Sequence, residues 1–204
     1  DPFLNDNPVA TVAAEDLNAD YILVTHGHAD HVADVASIAN RTGATVVAPV
    51  EVAGWFQSQQ GVQNILQLNL GGGVTLPFGH VRMTIAHHSS SMPDGSYGGN
   101  PAGYIISFPE GRVYFSGDTA LFLEMELYGR EPIDLAILCI GDHFTMGPKD
   151  SIEAIKLLQP AKVVPAHYNT WPPIEQDAEQ WASQVEAQTS ATPVVLEVNG
   201  VIEL

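Results

Sequence analysis

The sequence predicts an α/β fold in which helices cover β-sheets. Short apolar runs rich in β-branched residues alternate along the chain with segments of helical composition, an order typical of α/β folds. Histidine and aspartate residues follow several predicted strands, at the ends where α/β sheets form their functional sites. The length of 204 residues suits one domain, so we expect a single domain over residues 1–204.

Turn residues and periodicity divide the first part of the chain into five strands and two helices. In chain order they are a strand at Tyr21–Thr25, a helix at Val32–Arg41, a strand at Ala44–Ala48, a helix at Val50–Gln60, a strand at Asn64–Leu70 and a hairpin of Val74–Pro77 with His80–Ala86. Gly43 ends the first helix, and the run of glycines at 71–73 precedes the hairpin.

The second part begins with a long loop, 89–101, that is rich in Ser, Gly, Pro and Asn. A loop of this length in a compact domain is usually functional or disordered, and we interpret it as a lid. The elements after it are a hairpin of Gly103–Phe108 with Arg112–Ser116, a helix at Leu121–Tyr128, a buried strand at Ile133–Ile140, a helix at Pro148–Leu158 capped near Asp150 or Ser151, a strand at Lys162–Pro165, a helix at Gln176–Gln188 and a hairpin of Pro193–Val198 with Val201–Leu204.

The composition excludes several function classes. Seven Lys plus Arg against 24 Asp plus Glu give a net charge of -17, which repels polyanions, so we expect no nucleic-acid partner. No apolar run is long enough to cross a bilayer and the start carries no secretion signal, so we expect a cytoplasmic protein without a membrane partner. The single cysteine, Cys139, lies in an apolar run and is expected to be buried.

Three histidines and one aspartate fall within six residues, in the segment Thr25-His26-Gly27-His28-Ala29-Asp30-His31. Imidazoles crowded at a strand-to-helix turn repel one another on protonation unless something shares them. A divalent metal ion is the natural partner, because imidazole nitrogen and carboxylate oxygen suit zinc and similar cations. In a tight turn, His26 and His28 can face one ion while Asp30 and His31 face a second.

Two ions need further ligands, and three candidates follow later strands: His88, Asp118 and His167. Asp118 in the phrase Ser-Gly-Asp-Thr also fits ordinary turn chemistry, but the other motifs favour a ligand. His87 is the alternative to His88, and His80 in a turn is expected to be solvated.

These residues resemble a known family. The run HGHADH resembles the HxHxDH signature of the metallo-β-lactamase superfamily, and His88, Asp118 and His167 are similar to its later motifs in the right order. The phrases AHHSSS, FSGDT, IGDHFTMGP and PAHYNTWP resemble uncharacterised metal-dependent hydrolases related to the L-ascorbate 6-phosphate lactonases. The resemblance covers essentially the whole chain.

The resemblance implies a four-layer αββα sandwich with two divalent metal ions. It implies that one ion is held by His26, His28 and His88, the other by Asp30, His31 and His167, and that Asp118 bridges them. His88 is preferred to His87 because it directly precedes the serines. Zinc is the first expectation, and manganese, iron or nickel suit the same donors.

One departure concerns the start of the chain. Family members usually have two strands ahead of the phrase matching Asp1-Pro2-Phe3-Leu4, and these strands are absent from the sequence. Asp1 matches the family's first motif, an acid behind the ligands. We therefore expect that the sequence starts late, or that a separate N-terminal polypeptide or a second copy in a homo-oligomer covers the sheet edge.

The expected reaction is hydrolysis of a small lactone or ester, which can be anionic, by a hydroxide that two metal ions activate. The alternatives are a small or cyclic phosphodiester as substrate, a di-iron redox protein, and a non-catalytic module that the metals brace.

The candidate catalytic residues are Asp30, His143 and Tyr168. Three roles are open for His143: contact with the substrate, donation of a proton, or a hydrogen bond that orients a ligand. Tyr168, with Asn169, could stabilise an oxyanion.

Overall fold

A computed structural model describes all 204 residues, and the chain divides into two compact units. The N-terminal unit comprises Asp1–Gly72 and Ser89–Ala102. The C-terminal unit comprises Gly73–His88 and Gly103–Leu204. Each unit has its own sheet and its own apolar core.

A three-stranded parallel sheet forms the centre of the N-terminal unit, in the order β1 (Tyr21–Leu23), β2 (Thr45–Pro49) and β3 (Ile65–Leu68). Four of the five residues of β2 are buried, as expected for the middle strand of a parallel sheet whose two faces are both covered. The carboxyl ends of all three strands therefore lie at the same edge of the sheet, and the His-rich turn follows β1 at that edge.

Helices surround this sheet: α1 (Ala29–Val32), α2 (Val35–Thr42), α3 (Val50–Gln59) and a short 3-10 helix (Ala14–Asp16). The sequence predicted a continuous helix at Val32–Arg41, whereas the structure interrupts it at residues 33–34, between α1 and α2. At this break the Asp34 carboxylate accepts hydrogen bonds from the backbone nitrogens of Leu4 (2.6 Å) and Asn5 (3.3 Å), which tie it to the start of the chain.

Seven strands form the sheet of the C-terminal unit, in the order β10-β9-β8-β7-β6-β5-β4. Their bounds are β4 Gly73–Leu76, β5 Gly79–Ile85, β6 Ala102–Ser107, β7 Arg112–Phe115, β8 Leu135–Cys139, β9 Lys162–Ala166 and β10 Thr192–Pro193. The two predicted hairpins are present as β4–β5 and β6–β7. Strands β7 to β10 are parallel, so the residues that follow them emerge at one edge.

Helices α4 (Met125–Tyr128), α5 (Pro148–Leu158) and α6 (Ala178–Gln188), with a 3-10 helix (Pro172–Ile174), complete this unit. Buried Trp181 of α6 links two of them, because its indole donates to Ser151 Oγ of α5 at 2.8 Å. The predicted cap at Asp150 or Ser151 is wrong: Gly147 precedes α5 and contributes no side chain. Helix α4 covers only the end of the predicted segment.

The predicted hairpin at the end of the chain is wrong. Only Thr192–Pro193 forms a strand, parallel to β9, and Val194 continues the pairing by donating to the Val163 carbonyl at 2.8 Å. Val194, Leu196 and Ile202 pack on one face of the sheet, so covering that face replaces pairing within the segment.

No helix of the structure combines the length and the apolar character that a membrane span requires.

Candidate metal centre

The turn after β1 holds the first group of predicted ligands. His28 is the N-cap of α1, and its carbonyl accepts hydrogen bonds from His31 (2.9 Å) and Val32 (3.2 Å), so the chain passes from strand to helix within five residues. His26 and His31 are buried, at 0% and 6% exposure. Buried imidazoles need polar partners, because transfer of a polar group out of water is otherwise unfavourable.

His26 and His28 lie edge to face, with His26 Nε2 3.0 Å from His28 Nδ1. Two nitrogen ligands of a tetrahedral zinc ion, each about 2.0–2.1 Å from the metal, are separated by about 3.3 Å. The pair therefore has the donor chemistry and nearly the spacing that one divalent ion requires.

His31 has a carboxylate on each side of its ring. Its Nε2 lies 3.5 Å from Asp30 Oδ2, a spacing that again suits two ligands of one ion. Its Nδ1 lies 3.0 Å from Asp1 Oδ2. Asp1, His26 and His31 also have one ligand atom each within 4.8 Å of one another, but the Asp1 carboxylate is occupied by hydrogen bonds to Thr25 and His31.

The C-terminal unit brings together the other three predicted ligands. Asp118 Oδ2 lies 3.2 Å from His167 Nε2 and 3.6 Å from His88 Nε2, and the aspartate is only 4% exposed. His88 follows β5, Asp118 follows β7 and His167 follows β9. One carboxylate oxygen thus faces two imidazole nitrogens, and these donor groups suit a divalent metal ion.

Backbone conformation at this edge is unusual. His167 (φ 54°) and Asn169 (φ 61°) are both left-handed, as is Asp142 (φ 68°) after β8. Non-glycine residues adopt this region at an energetic cost, and such residues concentrate at functional sites. The loops that follow two adjacent strands therefore turn sharply at the edge that carries Asp118.

His87 and His88 have different environments. His87 is exposed, and its ring packs at a tilt on Phe122 with 5.1 Å between ring centroids. Its backbone nitrogen donates to Thr119 Oγ1 at 2.9 Å. His88, by contrast, turns its Nε2 towards Asp118. The geometry thus separates two adjacent histidines that the residue pattern alone left as alternatives.

His143 and Tyr168 occupy different positions. His143 is exposed in the loop after β8, between the strands that precede Asp118 and His167, and its ring contacts Phe144. Tyr168 packs on the apolar core of its unit. Burial, with smaller effects of Glu179 and Glu197, raises the pKa of Tyr168, so its phenol stays protonated and can donate.

Asn169 braces the loop after His167. Its Oδ1 accepts from the backbone nitrogen of Gln176 at 2.7 Å, and its own backbone nitrogen donates to the Ile174 carbonyl at 2.9 Å. With Glu175, Gln176 and Asp177 it lines an open cleft of about 570 Å³. The side-chain carbonyl of Asn169 is therefore used structurally.

The predicted lid instead packs against the His-rich turn. Ser89 Oγ lies 3.3 Å from His28 Nε2, and Ser90 Oγ accepts from the Gly27 nitrogen at 3.1 Å. Met92 is buried against the same turn. Sequence reasoning missed Ser89 and also Thr25, although each is the immediate chain neighbour of a predicted ligand.

Comparisons with known proteins agree with this chemistry. The model of the Beta-lactamase superfamily domain matches residues 2–168. A UPF0173 metal-dependent hydrolase from Thermus thermophilus is 47% identical over 90% of this chain and 81% of its own. The solved structure of Igni18, a metallo hydrolase from Ignicoccus hospitalis, has a TM-score of 0.83 and 35% identity, covering 94% of this chain and 83% of its own.

A more distant likeness concerns the fold alone. The metallo-beta-lactamase fold protein YhfI from Bacillus subtilis has a TM-score of 0.70 at 14% identity, covering 92% of this chain and 78% of its own. The fold class that the sequence predicted is thereby confirmed. The chain belongs to the beta-lactamase superfamily and, within it, to the UPF0173 family of metal-dependent hydrolases.

Proposed function

We propose that the chain hydrolyses a small lactone or ester with two divalent metal ions. The observation that carries the proposal is the Asp118 carboxylate, whose Oδ2 lies 3.2 Å and 3.6 Å from two imidazole nitrogens. The proposed ligands of the first ion are His26, His28 and His88, those of the second are Asp30, His31 and His167, and Asp118 is shared. This assignment follows the family resemblance and is consistent with the spacings inside each unit.

The bound ions would supply an activated water and polarise the oxygen of the substrate. The residues of the chain hold those ions and set the local charge. Two dications against the carboxylates of Asp30 and Asp118 leave about two positive charges before any further ligand binds. A small substrate with a negative charge is therefore compatible with the site, despite the net charge of -17 of the whole chain.

Zinc is the proposed metal because five imidazoles and two carboxylates form a nitrogen-rich donor set. Manganese, iron and nickel accept the same donors, and cellular supply decides among such metals.

His143 and Tyr168 are proposed to act on the substrate. His143 is exposed on the strand-end edge and can exchange a proton with a leaving group. Tyr168, whose pKa is raised by burial, remains a hydrogen-bond donor at neutral pH and can stabilise a developing oxyanion.

The test is metal content and hydrolysis measured on the same samples of parent, Asp118→Asn and His80→Ala protein. Asp118→Asn keeps the shape but removes the charge. His80→Ala is the matched control, because His80 is exposed in the β4–β5 hairpin and contacts Thr75. Each sample is assayed with a lactone, a carboxylic ester, a thioester and a cyclic phosphodiester.

We expect about two metals per parent chain. Replacement of residues behind the ligands typically weakens metal binding or activity by about 10–100-fold. Because Asp118 is itself a proposed ligand, we expect Asp118→Asn to lower the rate of hydrolysis by more than about 100-fold. Parent protein that retains no metal, or Asp118→Asn protein that matches the control, would contradict the proposal. Hydrolysis of the phosphodiester alone would replace the lactone or ester with the alternative substrate class.

A further inference from the structure

Thr25 lies between an acidic residue and the first histidine of the HGHADH turn. Its side chain is buried, at 1% exposure. Its Oγ1 lies 2.6 Å from Asp1 Oδ2 and 2.9 Å from His26 Nδ1. The backbone nitrogen of Thr25 also donates to Asp1 Oδ1, at 2.7 Å. The backbone N–H and the hydroxyl of Thr25 therefore both meet the same carboxylate.

The hydroxyl has a single proton, and this determines the direction of the two contacts. An ionised carboxylate only accepts hydrogen bonds, so the Thr25 hydroxyl donates its proton to the short hydrogen bond with Asp1 Oδ2. Thr25 Oγ1 must then accept from His26, which places a proton on Nδ1 of that ring. In the neutral imidazole, Nε2 keeps the lone pair that a metal ion requires.

Asp1 also determines which ring nitrogen of His31 is protonated, and it does so by a direct hydrogen bond. Its Oδ2 lies 3.0 Å from His31 Nδ1, which carries the proton and leaves Nε2 with the lone pair. The same oxygen atom thus reaches His31 directly and His26 through the Thr25 hydroxyl.

We propose that Thr25 is a positioning residue that extends the action of the Asp1 carboxylate to His26, so that one carboxylate orients a ligand of each metal ion. The assignment of the two histidines to different ions rests on the proposed function, whereas the choice of protonated nitrogen does not. A carboxylate or hydroxyl behind a ligating histidine holds the ring orientation and raises its basicity. Loss of the Thr25 hydroxyl should therefore affect His26 and leave the His31 contact in place.

The experiment compares parent protein with Thr25→Val, Thr25→Ser and Thr84→Val. Thr25→Val keeps the shape of the side chain and removes the hydroxyl, whereas Thr25→Ser keeps the hydroxyl. Thr84→Val is the matched control, because Thr84 is an equally buried threonine, at 1% exposure, on β5 in the other unit. Full-length protein with ¹⁵N-labelled histidine is observed by NMR, and zinc affinity is measured by chelator competition.

In parent protein we expect the bound proton on Nδ1 of both His26 and His31. In Thr25→Val we expect the His26 Nδ1 proton signal to disappear or shift while that of His31 stays, with zinc bound about 10- to 100-fold more weakly. Thr25→Ser should restore both properties, and Thr84→Val should change neither.

A His26 ring protonated on Nε2 in parent protein would overturn the inference, as would Thr25→Val protein with unchanged His26 signals. The parent spectrum decides even if Thr25→Val does not fold. If parent protein binds no metal but has a Thr25-dependent proton on His26 Nδ1, the proposed function is contradicted. The inference that Thr25 links Asp1 to His26 is then still supported.

Discussion

The carbonyl oxygen of His167 lies directly against Gly141: a Cβ added to the glycine would be 2.4 Å from that oxygen. The Gly141 carbonyl in turn accepts a hydrogen bond from Gln176 Nε2 at 3.1 Å, so the loops after β8 and β9 are locked together. The same loop carries the left-handed His167, whose Nε2 lies 3.2 Å from Asp118 Oδ2.

Gly141→Ala should displace the loop that carries His167. Overpacking of this kind destabilises by about 1–3 kcal/mol, and we expect reduced metal retention in addition. Denaturant unfolding and metal analysis measure the two effects. The control is Gly54→Ala in α3, where a Cβ meets nothing within 4 Å and Ala favours the helix by about 0.5–1 kcal/mol. Equal stability changes in the two variants would contradict the expectation.

Gly27→Ala should disturb the first two histidines by a different clash. A Cβ at Gly27 would lie 2.5 Å from Met92 Sδ and 3.1 Å from the Ser91 carbonyl oxygen. Met92→Ala alone removes a buried side chain and should cost about 2–5 kcal/mol. Because it also opens space for the new methyl group, the double variant should be less destabilised than the sum of the singles. Additive effects in this double-mutant cycle would show that Met92 does not constrain the turn.

The two adjacent histidines should respond differently to replacement. His88→Ala removes a side chain that faces Asp118 and should lower the bound metal by about one ion per chain. His87→Ala removes an exposed residue whose ring packs at a tilt on Phe122, and it should leave the metal content unchanged. Elemental analysis after dialysis distinguishes them, and metal loss in His87→Ala instead would reverse the assignment.

The loop 89–101 contains a carboxylate with a lowered pKa. Hydrogen bonds from Ser96 and from the Trp55 indole lower the pKa of Asp94 from its ordinary value of 3.8 to about 2. Because its pKa is lowered in the folded state, the ionised Asp94 carboxylate contributes to stability above pH 3.8, and this contribution is lost as the pH falls through about 2. The Trp55 indole proton shift should therefore titrate near pH 2. Asp94→Asn should abolish that titration, and a midpoint near 4 in parent protein would contradict it.

Cys139 should be unreactive in the folded protein. Burial, with a smaller effect of the Asp118 carboxylate, raises the pKa of the thiol to about 11, so little thiolate exists at pH 8. A disulfide reagent at pH 8 should modify the chain rapidly only after denaturation. Fast modification of the native protein would show that β8 opens to solvent.

The sequence alone was sufficient for the α/β class and for most of the strands, and it also proposed the candidate ligands. Both kinds of prediction have a local basis, because strands, and side chains at strand ends that suit a metal ion, are visible in short segments. For example, His26 and His28 are two residues apart in one short turn, and His26 Nε2 lies 3.0 Å from His28 Nδ1.

Elements that depend on distant contacts were predicted less well. The chain end pairs with β9 and packs on the sheet instead of forming its own hairpin. The helix predicted at Val32–Arg41 is interrupted where Asp34 binds the start of the chain. Local propensity contains no information on such partners.

The tertiary structure alone decided how the predicted ligands are oriented. The partners of the ring nitrogens come from far along the chain: Asp1 lies 30 residues before His31, and Ser89 lies 61 residues after His28. The residue pattern identified which histidines are available, but a ring is oriented by hydrogen bonds, and those form only when the fold brings distant hydroxyls and carboxylates to within about 3 Å.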